Sequence, residues 1–359
     1  METELVTGYS INWFYWLVAG LLLSTLSYGL IVLLIKRSQL SGQLDVPNER
    51  SMHKRPTPTG AGIVLAVFVF MAAFVLGIYF QKSQFYCIAV VVALLAAIGW
   101  YDDNNELSAK FRLVCFFIIS GGAILFLGAI DQFHFGSTEP LQIHWFLASV
   151  FSLLFFVWLL NLYNFMDGMD GLAAMQTIIA VSGFLIFLFR AGLFVDVDNV
   201  DLQLGLGLMI LSAVLLFSTI GFLLLNWSPA KIFLGDVGSL PIGGLFAILT
   251  VLAVSKFGVS FFSCVLLLAV FIFDATYTLI ARLSRGENIT EAHRSHLYQR
   301  LDDVGLSHNT IVSVYSMLML FFMVTAFMFE WELINAYVTG VLALLGVIFM
   351  RVWVFVLEK

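Results

Sequence analysis

The sequence contains few charged residues, few prolines and almost no cysteine. Asp, Glu, Lys and Arg make up 11% of its 359 residues and hydrophobic residues 61%, whereas about a quarter of the residues in soluble domains are charged. This shortage of charge excludes a soluble globular fold. The three cysteines lie in or beside apolar runs and lack the spacing of zinc ligands, which argues against a metal finger or a secreted disulfide framework.

Long apolar runs take the place of the missing charge. A helix needs about 20 mostly apolar residues to cross the hydrocarbon core of a bilayer. Because the runs are continuous, they exclude a membrane barrel, whose strands alternate apolar and polar residues. We therefore predict an all-α polytopic membrane protein with 1–359 as a single domain, without internal repeats. The eleven predicted transmembrane helices are 12–35, 63–80, 85–100, 111–130, 144–160, 172–189, 202–225, 240–254, 259–281, 311–329 and 333–350.

The basic residues predict the orientation, because Lys and Arg are retained on the cytoplasmic side. With the N-terminus outside, 14 of the 17 Lys and Arg residues fall in the inner loops or at the C-terminal end. The three on the outer side are Lys82, Arg190 and Lys256. The same inner loops carry most of the acidic and histidine side chains of chemical interest, which is typical of an enzyme site at a membrane surface. A conduction path would place such groups within the helices.

The first two inner loops combine charged side chains with turn-forming residues. In DVPNERSMHKRPTPTGAGI, prolines and glycines surround Lys54 and favour an anion site, with ordinary positive-inside anchoring as the alternative. The second loop reads GWYDDNNELSAKFRL. Asp102 and Asp103 repel each other unless a cation such as magnesium lies between them. Lys110 and Arg112 supply positive charge for a phosphate or for those carboxylates, and a solvated helix end is the alternative.

The next two inner loops read NLYNFMDGMDGLA and NWSPAKIFLGDVGSLPIGG. Asp167 and Asp170 are three residues apart and would share one face if the segment were helical, with Asn164 preceding them at the same spacing. Their carboxylates could accept hydrogen bonds from ribose or bind a metal. Asp236, between glycine and valine at a helix start, is the strongest candidate for a magnesium ligand. Helix capping is the alternative for Asp170 and Asp236.

The last long inner loop, ARLSRGENITEAHRSHLYQRL, is rich in Arg and His. Its two histidines, His293 and His296, lack the further ligands of a zinc site. We therefore predict contact with phosphate by these histidines together with Arg294 and Arg300. A basic loop lying on anionic lipid headgroups is the alternative.

Asp274 differs from these groups because it lies inside the ninth predicted helix. An ionisable residue at membrane depth indicates function by default. Arg282 follows two helical turns later, so a structural ion pair is an equal alternative.

Together the inner loops supply oxygen ligands for magnesium and cations for phosphate beside the headgroup layer. This combination predicts metal-assisted phosphoryl transfer between a water-soluble pyrophosphate and a membrane lipid. Four ordered motifs, the aspartate pair with LSAK, NLYNFMDGMDG, KIFLGDVGS and HRSH, resemble the polyprenyl-phosphate N-acetylhexosamine-1-phosphate transferases over about 45–300. The resemblance implies transfer of a sugar-1-phosphate from a UDP-sugar to undecaprenyl phosphate at the cytoplasmic face of a bacterial inner membrane, with release of UMP.

The resemblance also implies a role for each matching position. Asp236 would be the principal magnesium ligand, with Asp103 and Asp167 as further ligands and manganese as the alternative ion. The implied catalytic residues are Asp102, Asp103, Asp236, His293 and His296. The implied substrate-binding residues are Lys54, Lys110, Asn164, Asp167, Asp170, Asn226, Arg294 and Arg300. Direct attack by the lipid phosphate is favoured over a phosphoenzyme, because that phosphate is already anionic near neutral pH and hardly needs a strong base.

The sequence HRSHLYQR lacks the run of three histidines of the peptidoglycan branch, which disfavours a muramyl-pentapeptide donor. It resembles the branch that initiates O-antigen or other surface polysaccharides, with UDP-N-acetylglucosamine or a 6-deoxy relative (N-acetylquinovosamine or N-acetylfucosamine) as donor. The predicted partners are this donor, polyprenyl phosphate and the lipid bilayer, with a homodimer as a candidate assembly and no nucleic acid. A secondary transporter of an anionic substrate and a noncatalytic scaffold are the rival functions.

Overall fold

The computed structural model describes residues 13–41, 44–47, 52–53, 55–105, 107–136, 139–194, 201–288 and 293–359. Helices dominate this part of the chain. They are α1 (Trp13–Ser41), α2 (Gly62–Phe80), α3 (Ser83–Asn105), α4 (Ala109–Leu127), α5 (Trp145–Phe165), α6 (Leu172–Phe194), α7 (Leu202–Asn226), α8 (Asp236–Phe257), α9 (Phe261–Leu267), α10 (Ala269–Ser284), α11 (Leu297–Asp303), α12 (His308–Glu330) and α13 (Ala336–Leu357). Two short antiparallel strands, β1 (Gln132–Phe133) and β2 (Leu141–Gln142), form a hairpin between α4 and α5.

The predicted all-α polytopic membrane fold is confirmed. Among the described residues, ten helices are long and apolar enough to cross a membrane. The helices α9 and α10 meet at Leu268 with an 81° bend and make an eleventh span when counted together. The predicted helix 259–281 corresponds to this pair, which is broken at Leu268 instead of running as one continuous helix. No glycine or proline marks the break, because 261–284 contains neither residue.

The helix α8 forms the centre of the bundle and is buried along its apolar length. Glycines let its first turn approach the backbones of α2 and α3. A Cβ atom on Gly99 would lie 2.2 Å from the carbonyl oxygen of Asp236, and one on Gly62 would lie 2.1 Å from Cα of Gly238. Because these are backbone atoms that cannot swing away, close packing here requires glycine.

Replacing Gly99 with Ala is expected to destabilise the protein by about 1–3 kcal/mol through overpacking. Gly121, in the helix α4, provides a matched control, because its Cβ would meet no atom of the described residues within 4 Å. There the same substitution is expected to be neutral or to stabilise by up to about 1 kcal/mol. Denaturant-induced unfolding in mixed micelles measures both variants. Equal stabilities for the two would contradict this packing.

Backbone pairing brings the first inner loop to the start of α8. The amide of Phe233 donates to the carbonyl of Pro58 over 2.9 Å, and the amide of Ala61 donates to the carbonyl of Phe233 over 3.0 Å. The amide of Gly62 donates to Leu234 over 2.9 Å. This pairing places two loops that are far apart in the sequence at one end of the bundle.

Candidate active site

The side chain of Asp103 caps the N-terminus of the neighbouring helix α8. Its Oδ1 accepts a hydrogen bond from the amide of Asp236 at 2.8 Å, and its Oδ2 accepts one from Val237 at 3.1 Å. Gly235 precedes the helix with φ +76°, and a Cβ there would lie 2.8 Å from Oδ2 of Asp103. Glycine is therefore needed at this turn, and the carboxylate of Asp103 is held in place by the two amides.

Asp236 is the first residue of α8 and does not cap its own helix, so the capping alternative does not explain it. Its Oδ2 lies 3.7 Å from Nη1 of Arg112, which is 2.8 Å from Oδ2 of Asp102. The Asp102 side chain also lies within hydrogen-bonding reach of Asp236, and its Oδ1 accepts from the amide of Leu107 at 2.6 Å. Arg112 thus serves the carboxylates, which is one of the two roles suggested by its position in the sequence.

Asp167 completes a cluster of four carboxylates, here called the carboxylate cluster (Asp102, Asp103, Asp167 and Asp236). Burial raises the pKa of Asp167 well above its usual range, and the negative charges of Asp236 and Asp103 raise it further. The amide of Gly235 donates a hydrogen bond that opposes this shift. Asn164, one turn before Asp167, hydrogen-bonds Asp236 and donates to the Ser239 hydroxyl over 3.3 Å.

The donor set of this cluster fits magnesium. No three His, Cys, Asp or Glu side chains among the described residues form a preassembled metal cage. Magnesium keeps several waters and commonly uses one or two protein carboxylates together with substrate phosphates. The carboxylates of the cluster lie close enough for Asp236 and Asp103 to raise the pKa of Asp167. Their oxygens could therefore supply the one or two protein ligands of a magnesium ion. Asp236 would be the principal ligand of the ion, with Asp167 and Asp103 beside it as the further predicted ligands, and this assignment stays a prediction.

Six of the predicted site residues line one cavity of about 320 Å³. Asp45 and His53 from the first inner loop and Gln299 from α11 complete its polar wall. The structure thus brings together loops that are separated by up to about 250 residues in the sequence. The six predicted residues are Asp103, Asn164, Asp167, Asp170, Asn226 and Asp236.

The segment 166–171 is a turn and not a helix, so Asp167 and Asp170 do not share a helix face as their spacing suggested. Asn226 fixes this turn to the next loop. Its Oδ1 accepts from the amide of Gly171 at 2.9 Å, and its Nδ2 donates to the carbonyl of Ile232 over 3.0 Å. Asn226 therefore shapes the cavity wall while its amide is occupied by the backbone.

Asp170 has a histidine partner that the sequence reasoning missed. Nδ1 of His308 lies 3.3 Å from Oδ2 of Asp170, and Nε2 lies 3.5 Å from Oδ1 of Asp302. Burial alone would raise the pKa of Asp170, but hydrogen bonds from His308, the amide of Ala230 and Ser228 hold that pKa below its ordinary value. The available signal was SHNT, a polar start to α12 with Ser307 as its cap.

The HRSH loop (293–296) is anchored by Asp274, which is completely buried. Its carboxylate accepts hydrogen bonds from the amides of Leu297 at 2.9 Å and Tyr298 at 3.1 Å, and from the Tyr315 hydroxyl at 2.9 Å. Nδ1 of His296 lies 3.2 Å from the same carboxylate. Arg282, the alternative partner considered for Asp274, pairs with Glu287 at 2.8 Å.

Several predicted site residues lie away from the cavity wall. His296 is buried, and His293 packs on it with ring centroids 5.0 Å apart. Burial, together with the nearby His296 and Arg282, lowers the pKa of His293 to about 4, so its ring is neutral at pH 7. Arg294 pairs with Asp302 at 2.7 Å.

Arg300 pairs with Glu358 at 2.6 Å, and Lys110 is exposed. Lys54 lies outside the described residues. The substrate roles of these residues stay predictions.

Comparison with known proteins identifies the family. Residues 85–254 match the model for glycosyl transferase family 4. Over 318 residues, the chain is 31% identical to a probable undecaprenyl-phosphate N-acetylglucosaminyl 1-phosphate transferase of Bacillus subtilis, covering 86% of this chain and 84% of the relative. It is 26% identical to a decaprenyl-phosphate N-acetylglucosaminephosphotransferase of Mycobacterium leprae, covering 82% and 79%. It is 28% identical to a phospho-N-acetylmuramoyl-pentapeptide-transferase of Streptococcus sanguinis, covering 66% and 73%.

The stretch that matches the family model contains the whole carboxylate cluster, together with Asn164, Asp170 and Asn226. The resemblance seen in the four sequence motifs is therefore confirmed, and the chain belongs to glycosyl transferase family 4.

Proposed function

We propose that this protein transfers N-acetylhexosamine-1-phosphate from a UDP-sugar to undecaprenyl phosphate in a magnesium-dependent reaction. The observation that carries the proposal is the convergence of the predicted aspartates Asp103, Asp167, Asp170 and Asp236 on one polar cavity at an end of a bundle of membrane-length helices. A soluble diphosphate could enter such a cavity while a lipid phosphate approaches from the headgroup layer. The positive-inside distribution of Lys and Arg supports a cytoplasmic location for this end.

In the proposed reaction, an oxygen of the lipid phosphate attacks the phosphorus that bears the sugar. The bond from that phosphorus to the bridging oxygen breaks, and UMP leaves with the bridging oxygen. When bound, magnesium would neutralise charge on the pyrophosphate and on the leaving phosphate. Asp103 is engaged by two amides, and Asp102 by Arg112 and the amide of Leu107. These contacts favour positioning roles for both residues and direct attack by the lipid.

For the donor, we propose UDP-N-acetylglucosamine or a 6-deoxy relative such as the N-acetylquinovosamine or N-acetylfucosamine derivative. Two of the relatives above carry N-acetylglucosamine in their names, and one of these shares 31% identity with this chain. The HRSH loop, which departs from a run of three histidines, points in the same direction. The product, undecaprenyl-pyrophosphoryl-sugar, would initiate O-antigen or another surface polysaccharide.

Incubation of the purified protein with radiolabelled UDP-sugars, magnesium and undecaprenyl phosphate tests the proposal. Label is expected to move into the organic phase together with stoichiometric release of UMP. Omission of the lipid phosphate or addition of EDTA should abolish the transfer. Failure with every N-acetylhexosamine donor would contradict the proposal. Uptake of label into proteoliposomes without a lipid product would favour the transporter alternative. The structure weakens that alternative, because the carboxylate of Asp274 accepts hydrogen bonds from the backbone that follows the HRSH loop.

His308→Ala is expected to raise the KM for the donor about tenfold with a smaller effect on kcat. The substitution removes the hydrogen bond that positions Asp170 on the cavity wall, and one buried hydrogen bond to a charged group is worth about 1.5–3 kcal/mol. Asn at this position can still donate to Asp170 and should restore part of the loss. Steady-state kinetics at saturating lipid phosphate measure both variants. An unchanged KM for the Ala variant would remove His308 from the donor site.

A further inference from the structure

Tyr277, Arg300, Arg351, Phe355 and Glu358 contact one another where α10, α11 and α13 meet, and this contact cluster is here called the crevice. Arg351 has no counter-ion among the described residues. Nε of Arg351 donates to the Tyr277 hydroxyl over 2.7 Å. Its guanidinium carbon lies 5.4 Å from the centre of the Tyr277 ring and 5.5 Å from that of Phe355. Nη1 is buried and has no hydrogen-bond acceptor within the part of the chain that the structure describes. A charged side chain in a membrane-length helix normally has a partner, so Arg351 requires one from outside the described chain.

Two more basic side chains, Arg300 and Lys359, lie next to this crevice. Arg300 donates to Glu358 over 2.6 Å and also reaches the Tyr277 hydroxyl, so two guanidinium groups converge on one phenol. Nζ of Lys359 lies 4.4 Å from the centre of the Phe355 ring. Arg300, Arg351 and Lys359 outnumber Glu358, the one acidic side chain that the described residues place in contact with them. This excess of positive charge is complementary to an anion.

Apolar side chains border the crevice on the outside of the bundle. Val352, Phe355 and Val356 on α13 are exposed, as is Ile280 on α10. Both elements belong to membrane-length segments, so hydrocarbon is expected to cover these side chains. A ligand here must combine an anionic group with acyl chains, which a free phosphate ion does not.

We propose that this crevice binds the phosphate headgroup of an anionic phospholipid from the surrounding bilayer. Guanidinium groups bind phosphate oxygens through paired hydrogen bonds, and Nη1 and Nη2 of Arg351 have donors to offer. Basic pockets between membrane helices are a general form of lipid-headgroup site. We do not assign the phosphate of the acceptor lipid to this site, because Tyr277, Arg300 and Arg351 do not line the cavity that contains Asp103, Asp167 and Asp236. The proposal does not depend on the transferase function.

Native mass spectrometry of the detergent-purified protein, titrated with phosphatidylglycerol, tests this site. The wild-type protein is expected to retain one phosphatidylglycerol in preference to phosphatidylcholine. Arg351→Gln should weaken that binding about tenfold. Arg285→Gln is the matched control, because Arg285 lies at the end of α10 and pairs with Glu287 instead of facing the crevice. Its binding should match that of the wild type.

Tyr277→Phe provides a second variant that removes only the hydroxyl orienting Arg351, and it should weaken binding by a smaller factor. If Arg351→Gln fails to fold, the phosphatidylglycerol affinity of Tyr277→Phe tests the proposal in its place. Wild-type affinity in the variant that folds would overturn the proposal, as would equal retention of phosphatidylcholine. Displacement of the bound lipid by stoichiometric undecaprenyl phosphate would reassign the site to the acceptor lipid. Displacement by millimolar inorganic phosphate would reduce it to a simple anion site. Because the readout is lipid binding, its failure is distinguishable from failure of the transferase assay.

Discussion

Replacing Asp236 with Asn is expected to lower turnover at least about a thousandfold, which corresponds to about 4 kcal/mol of transition-state stabilisation. The substitution keeps the shape of the side chain and removes its negative charge. Asp236 is the member of the carboxylate cluster that contacts Arg112, Asn164 and Asp102 at once. If it holds the metal, a neutral amide cannot replace it as a magnesium ligand. Initial rates across a magnesium titration measure the effect.

The variant should remain folded, because loss of one charge from a crowded acidic cluster relieves repulsion. Thermal unfolding in detergent checks this point. Asp201→Asn is the matched control, since Asp201 caps α7 and pairs with Lys82 at 2.7 Å, away from the cavity. Asn keeps the capping oxygen, so that variant should lose at most about 1 kcal/mol of stability, from the ion pair with Lys82, and should keep its turnover. Near-normal rates for Asp236→Asn at limiting magnesium would refute the metal role.

The helices could be predicted from the sequence because a bilayer leaves few alternatives. Backbone groups in hydrocarbon must be paired within the segment, so a long apolar run becomes a helix almost regardless of its neighbours. The end of the third helix was less predictable. The polar sequence 101–105 continues as helix, and Asp102 and Asp103 therefore lie on the final turns of α3 instead of after it. Tertiary contacts of Asp102 and Asp103 stabilise that extension.

The members of the cavity could also be predicted, but their partners could not. Periodicity and composition show which residues are polar at a helix end, and they carry no information about which distant backbone group each will contact. Asp103 capping another helix and His308 supporting Asp170 are both contacts across more than 130 positions of sequence. Such pairs depend on how the helices pack. The bend at Leu268 belongs to the same class, since its own sequence contains no helix-breaking residue.

Asp274 shows how this packing assigns a role that its depth in the membrane did not reveal. A lone carboxylate in a helix suggested either a transport site or an ion pair with Arg282. It instead receives two amides at the start of α11 and the Tyr315 hydroxyl, and it faces His296. The carboxylate therefore holds the HRSH loop against the bundle and is a positioning residue for that loop.

Asp274→Asn is accordingly expected to lower both stability and activity. The amide group can accept on one side only, so at least one buried backbone donor loses its partner at a cost of about 1–3 kcal/mol. Loss of the carboxylate charge weakens the remaining bonds. Unfolding in mixed micelles should show a loss of about 3 kcal/mol, and kcat/KM for the donor should fall at least about a hundredfold as the loop shifts.

Two further variants separate anchoring from direct chemistry. Tyr315→Phe removes one of the bonds to the Asp274 carboxylate and should cost about 2 kcal/mol of stability with little loss of activity. His296→Ala leaves the two amide bonds to Asp274 in place, so it should weaken turnover or donor binding with a smaller loss of stability. If Asp274→Asn resembles Tyr315→Phe in both measurements, the carboxylate is not the anchor of the loop. If His296→Ala leaves the kinetics of every donor unchanged, the HRSH loop contributes only structure, and discrimination between donors must reside in the cavity wall formed by Asn164, Asp170 and Gln299.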